Sequence, residues 1–427
     1  MDSRFLGWTI LFFILVPAVA ALIWSTVAGT PDGTESPIFF ALAPAATSES
    51  PDASRDYPPG TRLFRWDRPG AADPVEALPG WTLFSPPAVS YDGKRVLLAA
   101  RAAESRPIQI WELEVGASTP RRITRYPADC AAPRYLPDAR IVFSGSLAGS
   151  LGESSIRPLF TCLADGSGLQ RITFGKARDR VCDILPDGRI LFQRTLLKRP
   201  SGLPALRLMT VNPDGTGLAG YAPPSPSPSA GRSGPRLASA LPEATGESPL
   251  YALDGNGRSW KRLHWEEGFH ALDPVEAVPR KLPAVATSVV NAKKRTGWLL
   301  CLNASVTRSG EGTGEGRPEK VRVREASTGR VLGESPIQED GSFFLQVPAD
   351  RLLGLETVDR EGEPILRLQS GLWVRPNEHR GCIGCHEPRS WVPENRFPQA
   401  LLRPPVKIGT ALSPGEAGAV VEGQPDE

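Results

Sequence analysis

The chain has 427 residues, of which 42 are Gly and 44 are Pro, together about a fifth of the total, and this density of backbone punctuation excludes a helical bundle. Its 49 Lys and Arg face 47 Asp and Glu for a net charge of +2, so there is no basic surplus to neutralise phosphates, and nucleic acid is not an expected partner. With 40% hydrophobic residues, the chain carries enough apolar mass for two or three domains of about 100–200 residues each.

In chain order, Arg4 is followed by an uncharged apolar stretch from Phe5 to Gly29, and the first charges after it are Asp32 and Glu35. Roughly 20 apolar residues span a bilayer core, and the positive flank stays in the cytoplasm. Residues 1–30 are therefore expected to form a signal anchor, a single membrane helix in the bacterial inner membrane with a periplasmic ectodomain. The alternative is a signal cleaved after Ala18-Val19-Ala20, with release into the periplasm. Thr30 to Gly60 is rich in Pro, Ser and Ala, and reads partly as linker around the strand-like Ile38 to Leu42.

The next stretch repeats itself. Apolar strands flank Asp92-Gly93, Asp138-Ala139 and Asp187-Gly188, with the aspartates 46 and 49 residues apart. A second series of strands runs through Arg62–Asp67, Gln109–Leu113, Leu159–Leu163, Leu208–Val211 and Leu250–Leu253, and ends at glycine turns such as Asp165-Gly166, Asp214-Gly215 and Asp254-Gly255. The tripeptide Arg122-Ile123-Thr124 returns 49 residues later as Arg171-Ile172-Thr173. A period of about 40–50 residues with four strands marks β-propeller blades, so residues 31–272 are expected to form five or six of them. The aspartates and glycines are turn chemistry. These repeats resemble exported propellers of the TolB type.

A Pro-punctuated connector leads to a second all-β region over 284–372. Thr296–Asn303 reads as a buried strand, Lys320–Glu325 alternates polar and apolar as a half-buried one, and Gly333–Val347 reads as strand, Asp340-Gly341 turn and strand. With Leu355–Val358 and Leu366–Leu368, this makes a small antiparallel β-sandwich. The whole is thus all-β: an N-terminal membrane helix, a TolB/WD40-like propeller, a sandwich, a haem-binding segment over 373–408 and a disordered tail over 409–427.

The chemistry is concentrated in Cys382-Ile383-Gly384-Cys385-His386. Cys-x-x-Cys-His is the spacing of c-type haem attachment: Cys382 and Cys385 reach the two vinyl groups of one porphyrin, and His386 becomes the proximal iron ligand. One covalent haem c is expected. The same residues leave two other readings open, a structural zinc site that adds His379 and a Cys382–Cys385 disulfide. Only Met1 and Met209 are methionines, so the distal candidates are His379, His264 and His270, which with His386 complete the histidines of the chain. Cys130, Cys162, Cys182 and Cys301 are scattered; Cys130 and Cys182 could pair or be buried thiols.

The order of these features, with Lys293 to Cys301, Glu339 to Phe343, Val374 to Glu387 and Pro393 to Arg396, resembles proteins related to the alpha subunit of hydrazine synthase. The resemblance runs from about residue 36 to 406 and implies a periplasmic c-type haem protein with a propeller and a middle β domain. That enzyme carries more than one covalent haem and a tyrosine ligand downstream of the haem motif. This chain has a single such motif and no tyrosine after Tyr251, so the enzyme's hydroxylamine and nitric oxide chemistry is not carried over. The expected function is electron transfer with redox partner proteins, or a haem subunit of an oxidoreductase. The alternative is a non-catalytic exported scaffold in which the motif is a zinc or disulfide site.

Overall fold

The structure, a computed structural model, describes residues 36–45, 56–67, 73–102, 107–147, 156–196, 205–221, 237–239, 250–253, 260–264, 266–306, 317–367, 371–384 and 395–409. The expected membrane segment over 1–30 lies outside them, as do Cys385, His386 and almost all of the expected tail. Among the described residues no helix is long and apolar enough to cross a membrane. The chain divides into two compact units, the first over 1–170, 177–213 and 219–286, the second over 171–176, 214–218 and 287–427.

The first unit is a β-propeller, with five sheets among the described residues. In three of these sheets the inner hairpin turns on one repeated device. The Asp92, Asp138 and Asp187 carboxylates accept from the backbone N–H two residues on, each at 3.1 Å, and each pairs with the arginine that opens or precedes the next strand, Arg95, Arg140 or Arg189. The Asx bond stabilises the reversal locally, which is why the aspartates recur with the blade period. Gly188 adopts φ +84°, and a Cβ there would lie 2.1 Å from the Ala284 carbonyl oxygen. The Pro-rich connector after the last strand crosses this turn, tied by Ala284 N–H to Pro186 O at 3.0 Å.

Sheet closure uses both ends of the unit. Ile38–Pro44 pairs with Arg62–Trp66 on one side and with Phe269–Glu276 on the other, both antiparallel. The first sheet therefore takes its inner strand from the end of the propeller and the other three from its beginning. Phe39, Phe40, Ala41 and Ala43 are wholly buried there, so the apolar run inside the Pro-rich stretch is a central strand. The next three sheets run through Arg95–Arg101, Cys130–Tyr135 and Ala177–Ile184 in sequential order, and the fifth has three described strands, Leu237–Ser239, Leu250–Leu253 and Trp260–His264. The Asp254-Gly255 turn lies outside the described residues.

The second unit is a β-sandwich of two four-stranded sheets. One sheet is antiparallel throughout, in the order Val331–Pro336, Lys320–Glu325, Leu353–Val358, Pro364–Arg367. The other centres on Thr296–Cys301 paired antiparallel with Phe343–Pro348. Its two edges are parallel additions, His379–Cys382 beside Thr296–Cys301 and Val406–Lys407 beside Phe343–Pro348. Leu299, Cys301, Val321, Val323, Phe343, Leu345 and Val347 form the core between the sheets. Thr296–Cys301 alternates, with Leu299 and Cys301 inward, so it is half-buried, whereas its composition reads as buried on both faces.

On the outer face of the antiparallel sheet, Glu356 is 1% exposed at its side chain and accepts from Arg324 at 2.8 Å, Arg322 at 3.1 Å and Arg367 at 2.9 Å. Burial pushes its pKa up, but the three arginine hydrogen bonds outweigh burial and hold the carboxyl below its ordinary value. A group whose folded pKa is lowered contributes stability at neutral pH that is lost as pH falls. Glu356→Gln is expected to lower the stability of this unit by about 1.5–3 kcal/mol at pH 7. The gap from the parent should close as pH drops below the ordinary glutamate value of 4.5, a trend that urea denaturation at stepped pH measures directly; a gap independent of pH would overturn the account.

Candidate functional site

The strand His379–Cys382 is presented by a tightly held turn. Before it, Trp373 is wholly buried and donates its indole N–H to Gly215 O at 3.3 Å. Arg375 is 5% exposed; its guanidinium reaches Asp214 O at 2.8 Å and the Asp350 carboxylate at 2.6 Å. Glu378 accepts from the Arg375 backbone N–H at 2.7 Å, and Asn377 sits in the left-handed region at φ +70°, a conformation asparagine tolerates better than most residues. Burial raises the Asp350 carboxyl to about 6 against the opposing pull of Arg375, and burial also raises Glu378. The buried Arg375 and Glu378, with the partly exposed Asp350, clamp the turn and set the phase with which the next residues enter the sheet.

That phase decides which side chains can act together. Successive residues of a strand point to opposite faces, so His379 and Cys382 lie on opposite sides of the sheet. His379 is exposed and stacks on Trp298, its register partner, with ring centroids 4.2 Å apart and planes 23° apart. Cys382 faces inward and lines an apolar cleft between the two sheets together with Leu299, Cys301, Val321, Phe343, Leu355 and Leu372. The cleft encloses a cavity of about 50 Å³ and opens to solvent. Beyond Cys382 the chain is tied to residues 302 and 303 by Leu302 N–H to Cys382 O at 2.9 Å and Asn303 N–H to Ile383 O at 3.1 Å.

Of the residues that the sequence singles out, Cys385 and His386 lie outside the described residues. His264 and His270 belong to the propeller unit. His264 packs against Phe40 and Trp66, with centroids 5.6 and 6.3 Å away, and burial lowers its pKa. His270 is 5% exposed on the inner strand of the first sheet, opposite Ala43. Cys130, Cys162, Cys182, Cys301 and Cys382 all carry free thiols in this structure, and burial pushes the Cys162 thiol up to about 12, so it is a poor nucleophile. Cys301 was not separable from these scattered cysteines by sequence; its place beside Cys382 follows from strand pairing between residues 81 positions apart.

Cys382 offers its thiol at the edge strand of this sheet, beside a cleft too small to enclose a porphyrin, so a haem held here would lie outside it; the pair His379 plus Cys382 does not suit a closed tetrahedral zinc site, since the two side chains face opposite sides of one sheet.

Residues 299–387 match the family model described as the hydrazine synthase alpha subunit middle domain. The fold is similar to that of hydrazine synthase from Kuenenia stuttgartiensis, with a TM-score of 0.67 and 15% identity over 87% of this chain and 72% of that one. Weaker similarity extends to TolB from Acinetobacter baumannii, at a TM-score of 0.32 and 17% identity over 61% of this chain and 71% of that one. A putative TolB from Agrobacterium tumefaciens gives 0.32 and 15% over 39% and 58%. No curated protein matches the sequence.

The two glycines of the motif region make different demands. A Cβ on Gly384 would lie 2.6 Å from Val306 O and 2.8 Å from its Cβ, whereas a Cβ on Gly381 meets nothing within 4 Å. Gly384→Ala is therefore expected to destabilise the protein and lower its thermal midpoint, and Gly381→Ala to change its stability by less than about 0.5 kcal/mol. Equal melting of the two variants would contradict this geometry.

Proposed function

We propose that this chain, related to the hydrazine synthase alpha subunit through its middle domain, is an exported c-type haem redox protein tethered to the bacterial inner membrane. It acts in electron transfer with redox partner proteins, or as a haem subunit of an oxidoreductase. The observation that carries the reading is the position of Cys382, the first thiol of Cys-x-x-Cys-His, at the apolar cleft of that domain. Cys382 and Cys385 would hold one haem c by thioether bonds, and His386 would bind its iron. The bound haem supplies one-electron exchange at its iron.

The chain's own part is to position and to exclude water. The parallel ladder fixes the Cys382 backbone, and the Arg375–Asp350 and Glu378 contacts hold the turn that feeds it. Leu299, Phe343 and Leu372 line the cleft with apolar surface, a low-dielectric wall that favours the less charged state of a bound redox centre. His379 is engaged by Trp298 on the other face, and His264 is packed among aromatic rings. His379 and His264 thus have packing contacts of their own, although His264 Nε2 is buried without a hydrogen-bond partner; we take the iron to lack a second strong protein ligand.

An absorption spectrum of the exported protein tests this. Soret and α bands that persist after denaturation are expected for the parent, and their loss for the double variant Cys382→Ser, Cys385→Ser, with the propeller still folded because it buries its own core. The reduced protein should bind carbon monoxide with a shifted Soret band. Absence of covalent haem in the parent would overturn the assignment. A spectrum unmoved by carbon monoxide, with a low-spin oxidised form that becomes high-spin in His264→Ala or His270→Ala, would replace the open iron by a bis-histidine one.

A further inference from the structure

Cys301 and Cys382 stand directly opposite each other in the parallel ladder, although 81 positions separate them in the chain. Neighbouring strands lie about 4.7–4.9 Å apart, within the range of about 4.4–6.8 Å between Cα atoms that a disulfide bridges. Register partners share a face, and both side chains line the same cleft. The hydrogen bond from Leu302 N–H to Cys382 O at 2.9 Å pins the register at this rung. Cys301 is 1% exposed, while Cys382 is only half-buried. One thiol is therefore accessible to a reagent and the other is held behind it.

We propose that Cys301 and Cys382 form a disulfide in the exported chain before haem attachment, so that Cys301 is a reversible guard on the first attachment thiol. The disulfide stands on the ladder alone; its effect on attachment rests on the c-type haem reading of Cys382. The oxidant is a protein disulfide of the export compartment. The Cys382 thiolate attacks one sulfur of that disulfide, forming a mixed disulfide and releasing one partner thiolate. The Cys301 thiolate then attacks the Cys382 sulfur, the Cys301–Cys382 bond forms, and the second partner thiolate leaves. Two electrons pass to the partner, and the two cysteine protons end on its two thiols. Thioether formation adds a cysteine S–H across a vinyl group, so a dithiol reductant must first reopen the bond by the reverse sequence. A closed loop of this length also restricts the unfolded chain, which stabilises the sandwich while it waits for haem.

The test uses the full chain exported from cells that lack haem attachment, with thiols alkylated before lysis and peptides mapped by mass spectrometry with and without reductant. The expected result is a Cys301–Cys382 linked peptide that disappears on reduction, with Cys385 alkylated. Alkylation of both Cys301 and Cys382, or a dominant Cys382–Cys385 link, would overturn the proposal. A second arm measures covalent haem on denaturing gels in haem-loading cells with and without a periplasmic thiol reductant system. The parent should lose loading severalfold without the reductant, and Cys301→Ser and Cys301→Ala should lose markedly less. Equal losses in the parent and both variants would reject the guard role while leaving the haem assignment intact. A linked peptide in a chain that never acquires covalent haem would reject the haem assignment and leave the disulfide standing.

Discussion

The parallel pairing of His379–Cys382 with Thr296–Cys301 is the interaction on which the site depends. It adds an edge strand to a sheet whose other face is already packed, so the strand has one buried side and one outer side. Because side chains alternate with period two, a slip of one residue would exchange Cys382 for Gly381 at the cleft and turn His379 inward. The turn before the strand resists that slip: buried Arg375 holds the Asp350 carboxylate and the Asp214 carbonyl, and Glu378 accepts from the Arg375 backbone N–H, so a shift would leave the Arg375 charge unpaired. The cost of breaking the clamp is thus what keeps the register.

The propeller meets the same demand by another route. An open arrangement of blades would leave the first and last sheets incomplete, with unpaired backbone groups and exposed apolar faces. Phe269–Glu276 removes both problems by entering the first sheet beside Ile38–Pro44. The core at this junction, with Phe39 and Phe40 wholly buried, draws on residues from both ends of the unit, so its stability is a property of the closed ring.

Charge is treated differently on the two faces of the antiparallel sheet in the sandwich. Val321 and Val323 face the core, while Arg322 and Arg324 on the same strand converge with Arg367 on Glu356. One carboxylate shared by three guanidinium groups is well satisfied even when nearly enclosed. The electrostatics of this face therefore support the fold, and Glu356 joins the residues that line the cleft behind it.

By itself the sequence determined the features whose physics is local. The Asp-Gly turns and the alternation in Lys320–Glu325 are each set within a few residues, because an Asx hydrogen bond and a pleat act over that range, and the Cys-x-x-Cys-His spacing is likewise legible within five residues. The tertiary structure alone decided what lies across the ladders: that Phe269–Glu276 completes the first sheet, that two edge strands of the sandwich run parallel, that His379 turns away from Cys382 to stack on Trp298, and that Cys301 stands beside Cys382. Each of these depends on strand register between distant segments, and register is fixed by the packing of a whole face, which no window of the chain contains.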